Sequence, residues 1–322
     1  MCIRDSHETT AVHPQAHVVN NRTMEIFRDW GLADAVLDDS LPIDQFGIRL
    51  VTAVLGDELA NLGPETKILP DDERRELEDL DRANLRAPDS PSPIRITSCA
   101  QDRIERHLVE AATGAHGDLR FATTCTALEE IGDSVVATLE GPDGTTTLSA
   151  DWVVAGDGVR SRTREALGIE MVGDDELGTL LNLYVECPAL IDRVRDRPAL
   201  LYFLATDDLL GAVINMDGRG RWVVNFVWDA STESVDDYPI SRCEEIARQA
   251  FGADDLDPVS YTHLRAHETS LHLVCRLLLE KSPPPAPHSP PTRRTSSFLM
   301  IRRPPRSTHC ISSAASDVYK RQ

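Results

Sequence analysis

Apolar residues in this chain fall into short blocks with two different periods, and the blocks change character near residue 178. Met24, Phe27 and Trp30 recur at three-residue spacing, with Ile26 widening the face, which predicts an amphipathic helix opened by Asn20 or Asn21. Core packing is the expected role of those aromatics. Gly31 ends the first part of that helix and residues 33–37 continue it. A second helix is predicted over 102–112, where Ile104, Leu108 and Ala111 share a face and Gly114 is the stop. A shorter helix over 72–80 sits inside a polar, proline-punctuated loop spanning 64–92. Strand patterns cover 46–55, 93–99, 119–131, 134–140 and 145–150, and Gly141-Pro142-Asp143-Gly144 joins the last two as a hairpin. Beyond Gly178 apolar strands dominate, at 180–186, 200–205, 209–216 and 222–228, before a helix at 241–251. Helices and strands alternate first, and a mostly antiparallel sheet follows.

The stretch between these halves carries the candidate chemistry. Residues 152–155 read as a short buried strand. Gly156-Asp157-Gly158 follows, then a basic, helix-compatible run with Arg160, Arg162 and Arg164. Glycines let a backbone approach a ligand closely, a helix N-terminus favours phosphate, and arginines add charge-assisted hydrogen bonds. A plain strand, turn and surface helix would look the same, and these residues alone leave both readings open.

Charge separates the body from the tail. Residues 1–258 hold 23 Lys+Arg against 50 Asp+Glu, a net −27, whereas residues 259–322 hold 10 against 3, a net +7. An acidic body argues against nucleic acid and anionic membranes as partners. No apolar run reaches the roughly 18 residues of a membrane span, and no signal peptide opens the chain. The seven cysteines form no CxxC pair and suit neither a zinc site nor a disulfide frame, so no metal and a reduced, cytoplasmic setting are expected.

Both ends read as foreign. Met1–Ser6 can be coded by ATG TGT ATA AGA GAC AGC, and Asp317–Gln322 by GAT GTG TAT AAG AGA CAG. One string, ATGTGTATAAGAGACAG, lies inside both in different frames, and residues 259–264 fit nearly all of its reverse complement. That string resembles the transposon end of sequencing-library adapters. Residues 300–308 resemble another adapter. Residues 1–6 and 259–322 are therefore expected to be non-native, the latter disordered. His263 and His267, four residues apart, and the proline-rich run 283–291 then lose functional meaning.

Three segments of the remaining chain resemble the flavin-dependent aromatic hydroxylases, single-component FAD monooxygenases acting on phenols and polyketide-like aromatics. Pro14 to Leu32, PQAHVVNNRTMEIFRDWGL, is similar to the family's Pro-x-Ala-His-x-x-Asn-x-Arg-Thr-Met-Glu segment. Gln101 begins a helix as the family's flavin-contacting glutamine does. Gly156-Asp157-Gly158-x-x-Ser161-x-x-Arg164 is similar to the family's Asp-Gly fingerprint. The resemblance covers roughly 11–258. Two departures stand out. Gln15 occupies a position where the family often has arginine. The Gly-x-Gly-x-x-Gly βαβ unit and a later Gly-Asp segment are missing, and both are expected to lie outside residues 7–258.

The resemblance implies an α/β chain, α+β overall, in which a partial FAD-binding Rossmann-like domain is joined to a mostly antiparallel substrate domain. The expected division is 7–45 and 96–177 for FAD, 46–95 as an excursion towards the substrate domain, and 178–258 for a truncated substrate domain. It implies FAD as cofactor, NAD(P)H and O2 as co-substrates, and a small aromatic substrate, with a homodimer left open. Gln101 is assigned to the flavin edge. Asp157 and Gly158 are assigned to the cofactor's phosphate region, and Arg160 and Arg164 to a nicotinamide phosphate or, equally, to a solvated helix face. No catalytic base is assigned; His17, His107 and His116 are not singled out. The parent protein is then the enzyme, and this chain, an interior fragment without a complete cofactor site, is expected to be inactive, to hold FAD poorly and to aggregate; an oxidase or reductase of the same fold, or a fragment or interaction module with no enzymatic function, are the alternatives.

Overall fold

The computed structural model describes residues 1–14, 16–82, 91–171, 179–207, 209–229, 231–260 and 265–268. Gln15, His263 and the run 283–291 lie outside the described residues. In chain order the elements are β1 (Cys2–Arg4), β2 (Val18–Val19), α1 (Asn21–Asp29), α2 (Ala33–Asp38), β3 (Ile48–Val51), β4 (Glu58–Asn61), α3 (Asp71–Arg82), β5 (Thr97–Ser98), α4 (Gln101–Gly114) and β6 (Asp118–Arg120). They continue with β7 (Thr124–Ile131), β8 (Ser134–Gly141), β9 (Gly144–Ala150), α5 (Arg162–Ala166), β10 (Thr179–Glu186), α6 (Ala189–Arg193) and β11 (Leu201–Ala205). The last are β12 (Leu210–Asn215), β13 (Arg221–Trp228), α7 (Ile240–Phe251), β14 (Val259–Ser260) and β15 (Arg265–Glu268).

Contacts divide the chain into two compact units. The described residues of one lie in Met1–Thr9 and Ala112–Asp175; those of the other lie in Thr10–Ala111 and Glu176–Thr269. In this division residues 10–45 and 96–111 group with the large sheet.

That sheet runs β14-β10-β13-β12-β11-β3-β4, and β15 also pairs with β10. Alternation along β10 and β13 explains it. Leu181, Leu183 and Val185 on β10, with Trp222, Val224, Phe226 and Trp228 on β13, point to one face and are buried. There they meet Cys243, Ala247, Ala250 and Phe251 of α7 in one core. Full removal of each such large side chain from water stabilises the fold by roughly 1.5–3 kcal/mol. The opposite face carries Asn182, Tyr184, Arg221 and Asn225, set by an antiparallel register that pairs Tyr184 with Val223 and Glu186 with Arg221. β3 joins β11 in parallel, so residues 48–61 extend the sheet.

α1 is opened by Asn20, whose side chain accepts from the Thr23 N–H at 2.9 Å. Met24 and Phe27 are buried in a core with Val19, Val36 and Cys99, against which Ile104 and Leu108 of α4 pack. Trp30 departs from the expected core role. It caps the helix C-terminus and is 57% exposed, because Gly31 turns the chain there with φ +73° and starts α2 as a separate helix.

In the other unit β7, β8 and β9 form an antiparallel meander. Its second hairpin closes with Gly141 opposite Gly144, and Gly144 takes φ +99°, a conformation that favours glycine. β1 pairs in parallel with β6.

Residues 152–155 overturn the buried-strand expectation. They form no strand, and Trp152 and Val154 are 61% and 67% exposed. The apolar run has no ladder partner among the described residues, and a strand is buried only when neighbours take up its backbone and cover its faces. The tail differs as well. Where a disordered arm is expected, Val259–Ser260 and Arg265–Glu268 pair antiparallel with β10. An edge strand offers unpaired N–H and C=O groups that accept an extended segment of almost any sequence. His267 therefore sits on a strand, where the four-residue helical spacing with His263 has no meaning.

Candidate functional site

The Gly-Asp-Gly turn is held by its own polar atoms. Asp157 Oδ1 accepts from the Ser161 hydroxyl at 2.5 Å, and Oδ2 accepts from the Thr163 N–H at 3.0 Å. Ser161 Oγ is the N-cap of α5 and accepts from the Arg164 N–H at 3.0 Å. Burial raises the proton affinity of Asp157, but the bonds from Ser161 and Thr163 outweigh it and hold the carboxyl below the usual range. Arg164 is buried, and its guanidinium donates back to the carbonyls of Val159, at 2.7 Å, and Gly158, at 3.4 Å.

This changes two assignments. The expected phosphate-binding helix start has already spent the N–H groups of Thr163 and Arg164, and α5 is a single turn. Arg164 fixes the turn and does not present its charge to solvent. Arg160, in contrast, is exposed. Gly158 has φ +77°, and a Cβ built on Gly156 or Gly158 meets no atom within 4 Å. The turn therefore presents open backbone, which fits close approach by the phosphate of a dinucleotide such as FAD. Beside it, Trp152, Cys125, Arg162 and Leu167 help line a shallow apolar groove.

Gln101 belongs to the other unit. It is the first residue of α4 and half-buried, and its Nε2 donates to Glu105 Oε1 one turn later at 2.6 Å. Its backbone N–H donates to Ala16 O at 2.9 Å, which ties the helix start to the Pro14–Leu32 segment. His17 in that segment is buried with Nδ1 3.1 Å from Ser98 Oγ, and burial pulls its pKa down to about 4. Burial pushes the Cys99 thiol up to about 12, so it is no nucleophile.

Next to Gln101 stands a cluster that the sequence reading passed over. Asp102 Oδ2 accepts from Arg221 Nη2 at 2.7 Å, and Arg221 Nε donates to the hydroxyl of Tyr184. The Arg221 guanidinium lies 5.2 Å from the centre of the Tyr184 ring, and the buried His13 ring is centred 5.7 Å from it at an interplanar angle of 50°. Burial pushes the Tyr184 phenol above its ordinary range, with Arg221 opposing. The signal available was the alternation: Asn182 and Tyr184, two apart on β10, and Arg221 and Asn225, four apart on β13, interrupt apolar strands on one face. Only the register of β10 with β13 brings Tyr184 and Arg221 together. Among the described residues no group of three or more His, Cys, Asp or Glu could hold a metal ion, and no helix is long and apolar enough to cross a membrane.

Comparison with known proteins covers both units. The model of the family described as "FAD binding domain" matches residues 1–271. Aklavinone 12-hydroxylase DnrF of Streptomyces peucetius subsp. caesius is 32% identical over 260 residues, 79% of this chain and 50% of that protein. Tetracenomycin B2 monooxygenase-dioxygenase of Streptomyces olivaceus is 27% identical over 281 residues, 84% of this chain and 49% of that protein. Among solved structures, aklavinone-11 hydroxylase in ternary complex with FAD and aklavinone superposes with a TM-score of 0.69 at 25% identity, over 83% of this chain and 48% of that one. The chain spans half or less of the length of the curated relatives it matches.

Proposed function

Because the chain belongs to the FAD binding domain family, we propose that it is part of an FAD-dependent monooxygenase that hydroxylates a polycyclic, phenol-bearing aromatic of polyketide type with NAD(P)H and O2. The observation that carries this reading is the likeness, across 83% of the chain, to a hydroxylase solved with both FAD and an aromatic substrate. When bound, FAD reduced by NAD(P)H supplies the activation of O2 that puts one oxygen atom on an electron-rich ring and releases the other as water.

The chain's own residues take the remaining roles. The open backbone of Gly156 and Gly158 would receive a cofactor phosphate. Asp157 and Ser161 keep that backbone in shape, and Arg160 offers an exposed cation beside it. Gln101, anchored by Glu105, would meet the flavin edge. The sheet face bearing Tyr184, Ile214 and Asn225 would cover the aromatic ring. The partner is a small aromatic molecule.

The test is a fluorescence titration of the purified chain with FAD, followed by turnover of a dihydroxyanthraquinone under labelled O2. Saturable quenching that is weakened by Gly156→Val, which fills the open space without requiring positive φ, supports the cofactor placement. Absence of saturable binding overturns it. One labelled oxygen in the product supports hydroxylation. Peroxide release matching NAD(P)H consumption, with no label in the ring, overturns it in favour of an oxidase-like flavoprotein.

A further inference from the structure

α3 stands between two anchored limbs. On one side the Thr66 hydroxyl donates to Pro198 O, the Ile68 N–H to Arg195 O at 3.0 Å, and the Leu69 N–H to the buried carboxylate of Asp44 at 2.8 Å. On the other, Asn21 Nδ2 donates to Ile94 O at 2.7 Å. α3 itself buries none of its residues; its two apolar side chains, Leu77 and Leu80, are half-buried and exposed. Its fastening is ionic. Arg82 Nη1 donates to Asp34 Oδ1 at 2.9 Å and Nη2 to Asp38 Oδ1 at 2.7 Å, so one guanidinium joins α3 to two carboxylates of α2. Asp81 and Arg95 pair at 2.6 Å and are largely covered.

The two helices are otherwise of like charge. α3 carries seven carboxylates against three arginines, and α2 carries Asp34 and Asp38 with no cation. Remove Arg82, and two acidic surfaces face each other and repel. The closed position also has a cost. α3 packs beside the turn Ile43–Gln45, where Asp44 Oδ1 is buried with no hydrogen-bond partner. Water reaching that oxygen favours the open state. A twelve-residue helix is marginal by itself in water, so α3 unwinds when it lets go.

We propose that α3 is an electrostatic strap, clasped to α2 by Arg82 and released by ionic strength, while the limbs at 66–69 and 94–95 stay in place. The proposal goes beyond the flavin reading and does not rest on it.

The test is hydrogen exchange of the full chain, read by mass spectrometry on peptides spanning 71–82 and corrected for intrinsic rates. It compares salt at about 0.01 M with about 1 M, between which the Debye length falls from about 30 to about 3 Å. Wild-type exchange in α3 is expected to rise about three- to tenfold with salt, the worth of one or two exposed ion pairs. Arg82→Ala is expected to exchange that much faster already at low salt, and to slow as salt rises. Only repulsion is then left to screen between the helices, and the covered Asp81–Arg95 pair is screened less. Adding Asp34→Asn and Asp38→Asn to Arg82→Ala is expected to slow exchange at low salt and to remove most of the salt dependence. Peptides of α4 serve as the reference and are expected to stay unchanged throughout. A wild-type rate indifferent to salt overturns the proposal, as does an Arg82→Ala rate that rises with salt. Faster exchange in α4 together with α3 would mean loosening of the whole unit and overturns it as well.

Discussion

Arg221 and Asp102 meet through one hydrogen bond, Nη2 to Oδ2 at 2.7 Å, with 13% and 12% of their side chains exposed. No other carboxylate among the described residues forms an ion pair with Arg221. Asp102→Ala would leave a guanidinium largely out of water without a counter-charge, a loss of about 3–5 kcal/mol. Asp102→Asn keeps an acceptor and is expected to cost less, about 1–2 kcal/mol. Urea unfolding of the two variants checks the order; equal midpoints would mean that solvent reaches Arg221 and replaces the pair.

His17 gives a pH dependence with a definite sign. Burial lowers its pKa to about 4 in the folded chain, against about 6.5 in an unfolded one. The folded value is depressed, so the stabilisation is fully present above pH 6.5 and is lost as pH falls from there towards 4, as the unfolded chain takes up a proton that the folded chain refuses. The loss approaches about 3 kcal/mol at the lower end. Urea midpoints measured at pH 7 and pH 5 should fall for the wild-type chain and fall less for His17→Gln. A parallel fall in both would assign the acid sensitivity to other groups.

How much of this was legible in the sequence depends on whether a feature is local. The strands of 179–228 were readable because their alternation is written residue by residue. Asn20 was readable as a cap because its acceptor reaches only to Thr23. Gly156-Asp157-Gly158 was visible as a turn, but which groups it spends on itself was not, since that depends on where Arg164 folds back. Trp152–Ala155 misled because an apolar run predicts burial only if a neighbour exists to bury it. The Tyr184–Arg221–Asp102 cluster joins three elements far apart in sequence through strand register, and local periodicity carries no information about register.

Two glycines with positive φ should respond differently to alanine. Gly158 has open space where a Cβ would go, so Gly158→Ala meets only backbone strain, about 1–2 kcal/mol. Gly220, with φ +127°, would place its Cβ 2.6 Å from Pro188 Cα, a backbone atom that cannot step aside. Strain and overpacking then add, for about 3 kcal/mol or more. Thermal unfolding of the two variants should separate them clearly, with Gly220→Ala the less stable; the reverse order would contradict the crowding at Pro188.

The Asp157 carboxylate should decide whether residues 157–166 stay folded as a unit. α5 is five residues long, too short to persist without its caps. Its Thr163 and Arg164 N–H groups are held by Asp157 and Ser161. Asp157→Ala removes one cap directly and frees the Ser161 hydroxyl that provides the other, so protection of both amides from hydrogen exchange should drop about tenfold, the worth of a lost cap. Asp157→Asn keeps an oxygen acceptor and should retain most of it. Acid should mimic the alanine variant. The folded carboxyl titrates below its ordinary value, so the stabilisation is present above the unfolded value of about 3.9 and is lost as pH falls through the folded one. Exchange at Thr163 and Arg164, corrected for intrinsic rates, is the readout. Equal protection in wild type and Asp157→Ala would show that packing, not the Gly-Asp-Gly carboxylate, holds the turn, and the open backbone at Gly156 and Gly158 would then owe its shape to something else.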